Sequence, residues 1–263
     1  MKNNQSIKKS SKKNIRIIPR LDIKGPNVVK GINLEGLRVV GDPVELAYKY
    51  YNDGADEILY LDIVASLYQR NFDFDLLKSV SKKIFVPTTV GGGIRSLNDI
   101  TNALRAGADK IAINTYAVHH PEFIAEAVHK FGSQCIALSV EAKKTNDGHW
   151  ETYTDGGREK TDIDSIEWIK KSISLGVGEI IITSIDQDGA KRGFNLELTN
   201  KVIAISPVPV IVCGGAGSLD SVKKMVETCH PEAISAASVF HYRDYSISDL
   251  KRYLKQNGYN VRL

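Results

Sequence analysis

The stretch GGGIRSLNDI, Gly91 to Ile100, follows the apolar run Phe85 to Val90, and GGAGSLDSV, Gly214 to Val222, follows the apolar run Val208 to Cys213. Both read as strand, glycine pair, Ser-Leu and helix. A continuous apolar strand that passes through glycine into a helical pattern marks a βα unit, in which a strand buried on both faces hands over to a covering helix. Finding the same unit twice, about half a chain apart, says that the molecule repeats itself.

The runs around these two extend the pattern. Ile15–Ile23, Glu57–Asp62, Ile84–Val90, Lys110–Asn114, Cys135–Glu141, Glu179–Ser184, Val208–Cys213 and Ala233–Ala237 are short and mostly apolar, and helical periodicity follows them. Eight such units predict an α/β fold closed into a (β/α)8 TIM barrel. Local punctuation agrees, with Asp42 as N-cap, Pro43 at the first helical position and Gly54 at the stop. Ser96 caps the helix that Gly107 ends. The repeat also reaches past the glycines: Val86-Pro87 matches Val208-Pro209, GADEI from Gly54 matches GVGEI from Gly176, and LDIK from Leu21 resembles VEAK from Val140. Two similar half-barrels are expected.

At 263 residues the chain has the length of one such barrel, so 15–263 is read as a single domain. Charged residues at 25% and the lack of a long apolar run exclude a membrane span. The net charge of +4 resides in residues 1–14, whose five lysines have no acid among them, so this segment is expected to be a disordered basic tail. Without interleaved aromatics or arginines it does not read as a nucleic-acid or membrane contact, and it lacks the apolar core of a signal peptide. Three scattered cysteines, Cys135, Cys213 and Cys229, suit a reducing cytoplasm, and the six histidines show no metal-ligand spacing. Neither a metal nor another cofactor is expected.

In a barrel of this kind chemistry gathers at the C-terminal strand ends. Gly91–Gly93 and Gly214-Gly215 stand there, where backbone N–H groups can approach an anion, and Asn114-Thr115 and Ala237-Ser238 end the next strand of each half. Two matching cradles predict a ligand with a phosphate at each end. Asp22 and Glu141, from opposite strands one and five, are positioned to share acid and base roles, or to be strand-end acids paired with Lys24 and Lys143. Alternation along strand one sends Arg16, Ile18, Arg20 and Asp22 to the same side. Arg16, Glu57, Lys110 and Glu179 then form a charged ring at the N-terminal mouth, either plugging the barrel or gating a passage.

From Ile15 onward the chain resembles the cyclase subunit family of imidazole glycerol phosphate synthase. The motifs, in family order, are IIPxLDIK, VVKG, GDPVELA, GGGIRS, GADKIAIN, FGSQC, TSIDQDG, GGAGSL and AASVFH. The sister isomerase of histidine biosynthesis shares the half-barrel design, but TSIDQDG and the charged ring match the cyclase. The resemblance implies a lyase that takes glutamine-derived ammonia from a glutaminase partner in a heterodimer. It would convert a bis-phosphorylated ribulosyl aminoimidazole carboxamide intermediate to imidazole glycerol phosphate and AICAR. It places the catalytic pair on Asp22 and Glu141. Substrate and phosphate contacts fall on Lys30, Asp62, Gly93, Asn114, Thr115, Thr183, Asp188, Gly189, Gly214, Gly215 and Ser238. The ring becomes the gate of an ammonia tunnel, and Gln134 falls near the surface that docks the glutaminase.

Three features depart from the family. Glu141 stands where it has aspartate, Arg20 replaces a small uncharged residue, commonly cysteine, and Gly25-Pro26-Asn27 replaces a more polar turn in the mobile first loop. Arg20, projecting into the lumen, needs Asp22 or Glu141 as its partner and would lower the pKa of Asp22. These departures define two alternatives to cyclase activity: a paralogue passing ammonia from a glutaminase to an amidotransferase of surface-sugar synthesis, and a catalytically silent phosphate-binding barrel.

Overall fold

The protein is described from a computed structural model covering residues 14–263, so the basic segment lies outside the described residues except for Asn14. Eight parallel strands form the barrel: β1 (Arg16–Lys24), β2 (Ile58–Asp62), β3 (Thr88–Gly91), β4 (Lys110–Ile113), β5 (Ile136–Lys144), β6 (Glu179–Ser184), β7 (Val210–Cys213) and β8 (Ala233–Ala236). Each pairs with its sequence neighbours, and β8 pairs with β1 to close the ring. Around that ring β1 and β5 are diametrically opposed. All eight expected strands are present, with ends shifted by up to four residues; β3 opens at Thr88 rather than Ile84.

The apolar residues divide into an outer layer between strands and helices and an inner layer that fills the lumen. Ile17, Leu21 and Ile23 of β1 face the helices, whereas Ile18 joins Leu59, Ala112, Ala137, Ile181, Ile211 and Ala233 inside. This is the alternation expected of β1, and it commits Arg16, Arg20 and Asp22 to the lumen. Helix capping follows the sequence as read. Asp42 accepts from Val44 and Glu45 N–H with Pro43 opening the helix, and Ser96 and Ser218 accept from Asp99 and Ser221 at equivalent places in the two halves.

Two antiparallel hairpins were not expected. Strands Asn27–Ile32 and Glu35–Gly41 extend the end of β1, and Trp150–Thr154 with Glu159–Asp164 extends β5. The first loop is thus a paired ribbon. Its turn places Asn33 and Leu34 at φ of 52° and 63°, the left-handed geometry usually announced by Asn-Gly. Leucine at the second position hides that signal. Burial offsets its strain, because Leu34 packs against Gly157 in the turn of the second hairpin. The two ribbons meet over the C-terminal mouth.

Candidate functional site

The paired glycines are positions where backbone closely approaches backbone. Gly92 has φ of 99°, and a Cβ there would lie 2.0 Å from the Asp62 carbonyl oxygen; Gly214 has φ of 85°, with the Ser184 carbonyl oxygen at 2.6 Å. Asp62 and Ser184 end β2 and β6, so the same contact is built once in each half. Asn114 and Ala237 repeat the correspondence, sharing an unusual backbone at φ −140°, ψ −93° and φ −124°, ψ −70°.

The two cradles share a backbone but differ in the space above it. The N-terminal half opens a cavity of about 290 Å³ lined by Asp62, Gly92, Gly93, Asn114, Thr115 and Glu141. In the C-terminal half the space between Arg20, Lys30, Asp188, Gly189, Gly214, Gly215 and Ser238 is about 20 Å³. The two cradles therefore differ in volume. Long cationic side chains and their acid partners fill the second.

Those side chains form one buried network. Arg20 Nε donates to Asp22 Oδ1 at 2.6 Å and Nη1 to the Thr183 hydroxyl at 3.0 Å. Lys30, brought back over β1 by the first hairpin, donates to Asp22 Oδ2 at 3.1 Å and to Asp188 Oδ2 at 2.6 Å. Pairing of Asp22 with Lys24, and of Glu141 with Lys143, is not found. Lys24 is exposed, and Lys143 lies over the Tyr153 ring. The partner of Arg20 is Asp22, and not Glu141.

This arrangement separates the two carboxyl groups electrostatically. Burial opposes ionisation of Asp22, but Arg20 and Lys30 outweigh it and hold the group well below the usual carboxylate range. Burial raises Glu141 to about 7; Arg20 opposes the shift and the charge of Asp22 reinforces it. Around Glu141, Asn114 Nδ2 donates to Oε2 at 3.3 Å and the Gly157 N–H adds a bond. Near neutrality, then, an ionised Asp22 faces a Glu141 that can hold or release a proton.

The remaining expected residues have identifiable neighbours. Asp62 pairs with Arg70 Nη2 at 2.6 Å, yet burial leaves its carboxyl raised. The Thr115 hydroxyl accepts from Asp155 N–H at 3.1 Å. Arg70, Arg95, His119, His120 and Gly157 are additions to the site. Of these, Arg95 lies within the GGGIRS stretch, and the others carry no motif in the sequence.

At the opposite mouth the four charged residues do form a ring. Arg16 bonds Glu57 at 2.8 Å and Glu179 at 2.5 Å, while Lys110 bonds Glu57 at 2.7 Å and Glu179 at 2.5 Å. Each cation touches both acids. Gln134 is exposed on the turn that enters β5 at that end.

The sequence model of the family described as "Histidine biosynthesis protein" matches residues 16–246. A curated relative, imidazole glycerol phosphate synthase subunit HisF of Streptococcus mutans serotype c (strain ATCC 700610 / UA159), is 44% identical over 247 residues. That alignment covers 94% of this chain and 98% of the relative. The match spans both half-barrels, both cradles and the charged ring, and the chain belongs to the histidine biosynthesis protein family, among the HisF-type cyclase subunits.

Proposed function

We propose that the chain is the cyclase subunit of an imidazole glycerol phosphate synthase, a lyase of histidine biosynthesis that uses ammonia from a glutaminase partner. The observation that carries this reading is the duplicated glycine cradle on either side of Asp22 and Glu141, in a chain 44% identical to a HisF subunit. A ribulosyl aminoimidazole carboxamide substrate with a phosphate at each end would place one phosphate in the cavity over Gly92 and Gly93 and the other above Gly214 and Gly215, outside the small space there. Forming a carbon–nitrogen bond from ammonia requires proton transfers at nitrogen and oxygen. Glu141 is suited to exchange a proton near pH 7, and the ionised Asp22, a weak base between Arg20 and Lys30, to hold negative charge in the site.

Ammonia must arrive neutral, since the ammonium ion has no free lone pair. The ring of Arg16, Glu57, Lys110 and Glu179 stands where a lumen route from the N-terminal face would begin, and we assign it the role of gate. The glutaminase would sit on that face, near exposed Gln134. The test is turnover of the purified chain with the bis-phosphorylated intermediate and ammonium salt at alkaline pH, where free ammonia replaces the partner. Formation of imidazole glycerol phosphate and AICAR supports the reading. Retention of the intermediate without turnover refutes cyclase activity and returns the ammonia-passing and silent-barrel alternatives.

A further inference from the structure

Arg20 uses only part of its hydrogen-bonding capacity. The side chain is fully enclosed, with the residue 2% exposed, and Nε and Nη1 are engaged by Asp22 and Thr183. Nη2 makes no hydrogen bond among the described residues, and the hydroxyl of Ser235, which is 1% exposed, has only the weakly bonding Cys213 thiol beside it. Both residues line the small space of the C-terminal cradle, together with Gly214, Gly215 and Ser238. A buried guanidinium N–H left unpaired is costly, and a space of about 20 Å³ admits a single oxygen atom but not a whole phosphate group. The lining therefore suits one oxygen at its floor, joined to a larger group above the glycines.

We propose that Arg20 is a specificity-determining residue of the C-terminal cradle, donating from Nη2, beside the Ser235 hydroxyl, to an oxygen of a phosphorylated polyol arm whose phosphate rests on Gly214 and Gly215. This rests on the cradle assignment made above. Asp22 and Thr183 hold the guanidinium plane, so Nη2 is aimed before the ligand arrives and little side-chain freedom is lost on binding. The N-terminal cradle has Ser139 at the matching place on β5, and the arginine that lines it, Arg95, comes instead from the loop after β3, beside open volume. Arg20 thus distinguishes the two ends of a ligand whose ends both carry phosphate.

The experiment is an amide NMR titration of the full chain with sn-glycerol 3-phosphate and, separately, inorganic phosphate. It follows Gly214 and Gly215, with Gly92 and Gly93 as an internal reference, in wild type, Arg20→Met, Arg20→Lys and Ser235→Ala. Arg20→Met is expected to weaken the glycerol phosphate response at Gly214 and Gly215 roughly 10- to 100-fold, the loss of a charge-assisted hydrogen bond. Arg20→Lys and Ser235→Ala should give smaller losses, and Gly92 and Gly93 should titrate as before. The fold loss for inorganic phosphate should be smaller, because it lacks the arm.

Equal titration of Gly214 and Gly215 in wild type and Arg20→Met overturns the role of Arg20 while leaving the cradle intact. Silence of both glycine pairs in wild type overturns the cradle assignment and this proposal together. If Arg20→Met does not fold, an undiminished response in both Arg20→Lys and Ser235→Ala is the overturning result.

Discussion

Arg20 of β1 reaches across the barrel to Thr183 of β6, its Nη1 lying 3.0 Å from the threonine hydroxyl while Nε is held by Asp22. A cationic side chain thus crosses the lumen above the N-terminal ring and beside both carboxyl groups. Thr183→Val removes the acceptor without changing volume greatly and leaves a second guanidinium nitrogen, Nη1, unpaired beside Nη2. Chemical denaturation should show a loss of about 1–3 kcal/mol. No loss would mean that Arg20 finds another acceptor.

Asp22 is the anion to which both buried cations are tied. Asp22→Asn leaves Arg20 without its charged partner and Lys30 with Asp188 alone, which should cost about 3–5 kcal/mol. Because the damage is an uncompensated cation, adding Arg20→Met should recover part of it. A double-mutant cycle measures this coupling, and additive losses would contradict the network.

The two carboxyls predict stability changes in separate pH windows. Glu141 keeps its proton in the folded chain to about 7, against 4.5 when unperturbed. The unfolded chain therefore loses that proton first, and stability falls as pH rises between these values, by about 3 kcal/mol at most. Asp22 is depressed, so its contribution is present above the ordinary carboxylate pKa and is lost only as pH falls through its lowered folded value. Urea titrations of wild type and Glu141→Gln from pH 5 to about 8 should diverge, the variant lacking the decline. Parallel curves would show that Glu141 does not titrate there.

At the glycine contacts, steric demand can be tested directly. Gly92→Ala places a Cβ against the Asp62 carbonyl at a left-handed φ. A loss of at least about 2 kcal/mol is expected, with weakened phosphate binding in the N-terminal cradle. Calorimetric titration with phosphate beside a melting curve separates the two effects.

The ring at the other mouth predicts a different phenotype. Lys110→Met leaves Glu57 and Glu179 sharing only Arg16. The ratio of glutamine-driven turnover, measured with the glutaminase, to ammonium-driven turnover should fall. An unchanged ratio would make the ring a structural plug.

The sequence by itself determined the architecture, because strand burial, helix capping and the duplicated glycines are local signals that act in concert. It also placed Arg16, Arg20 and Asp22 on one side of β1, since a strand's period of two leaves no other choice. Tertiary structure decided the rest. The first hairpin has no local signature because Leu34 occupies a turn position normally marked by glycine, a choice stabilised by packing on Gly157 more than 100 residues away in the chain. That hairpin carries Lys30 to Asp22 and Asp188, so the pairing of Asp22 and the closing of the second cradle were hidden too. Spacing along a strand fixes which way a side chain points, but which partner it meets depends on how distant segments fold over it.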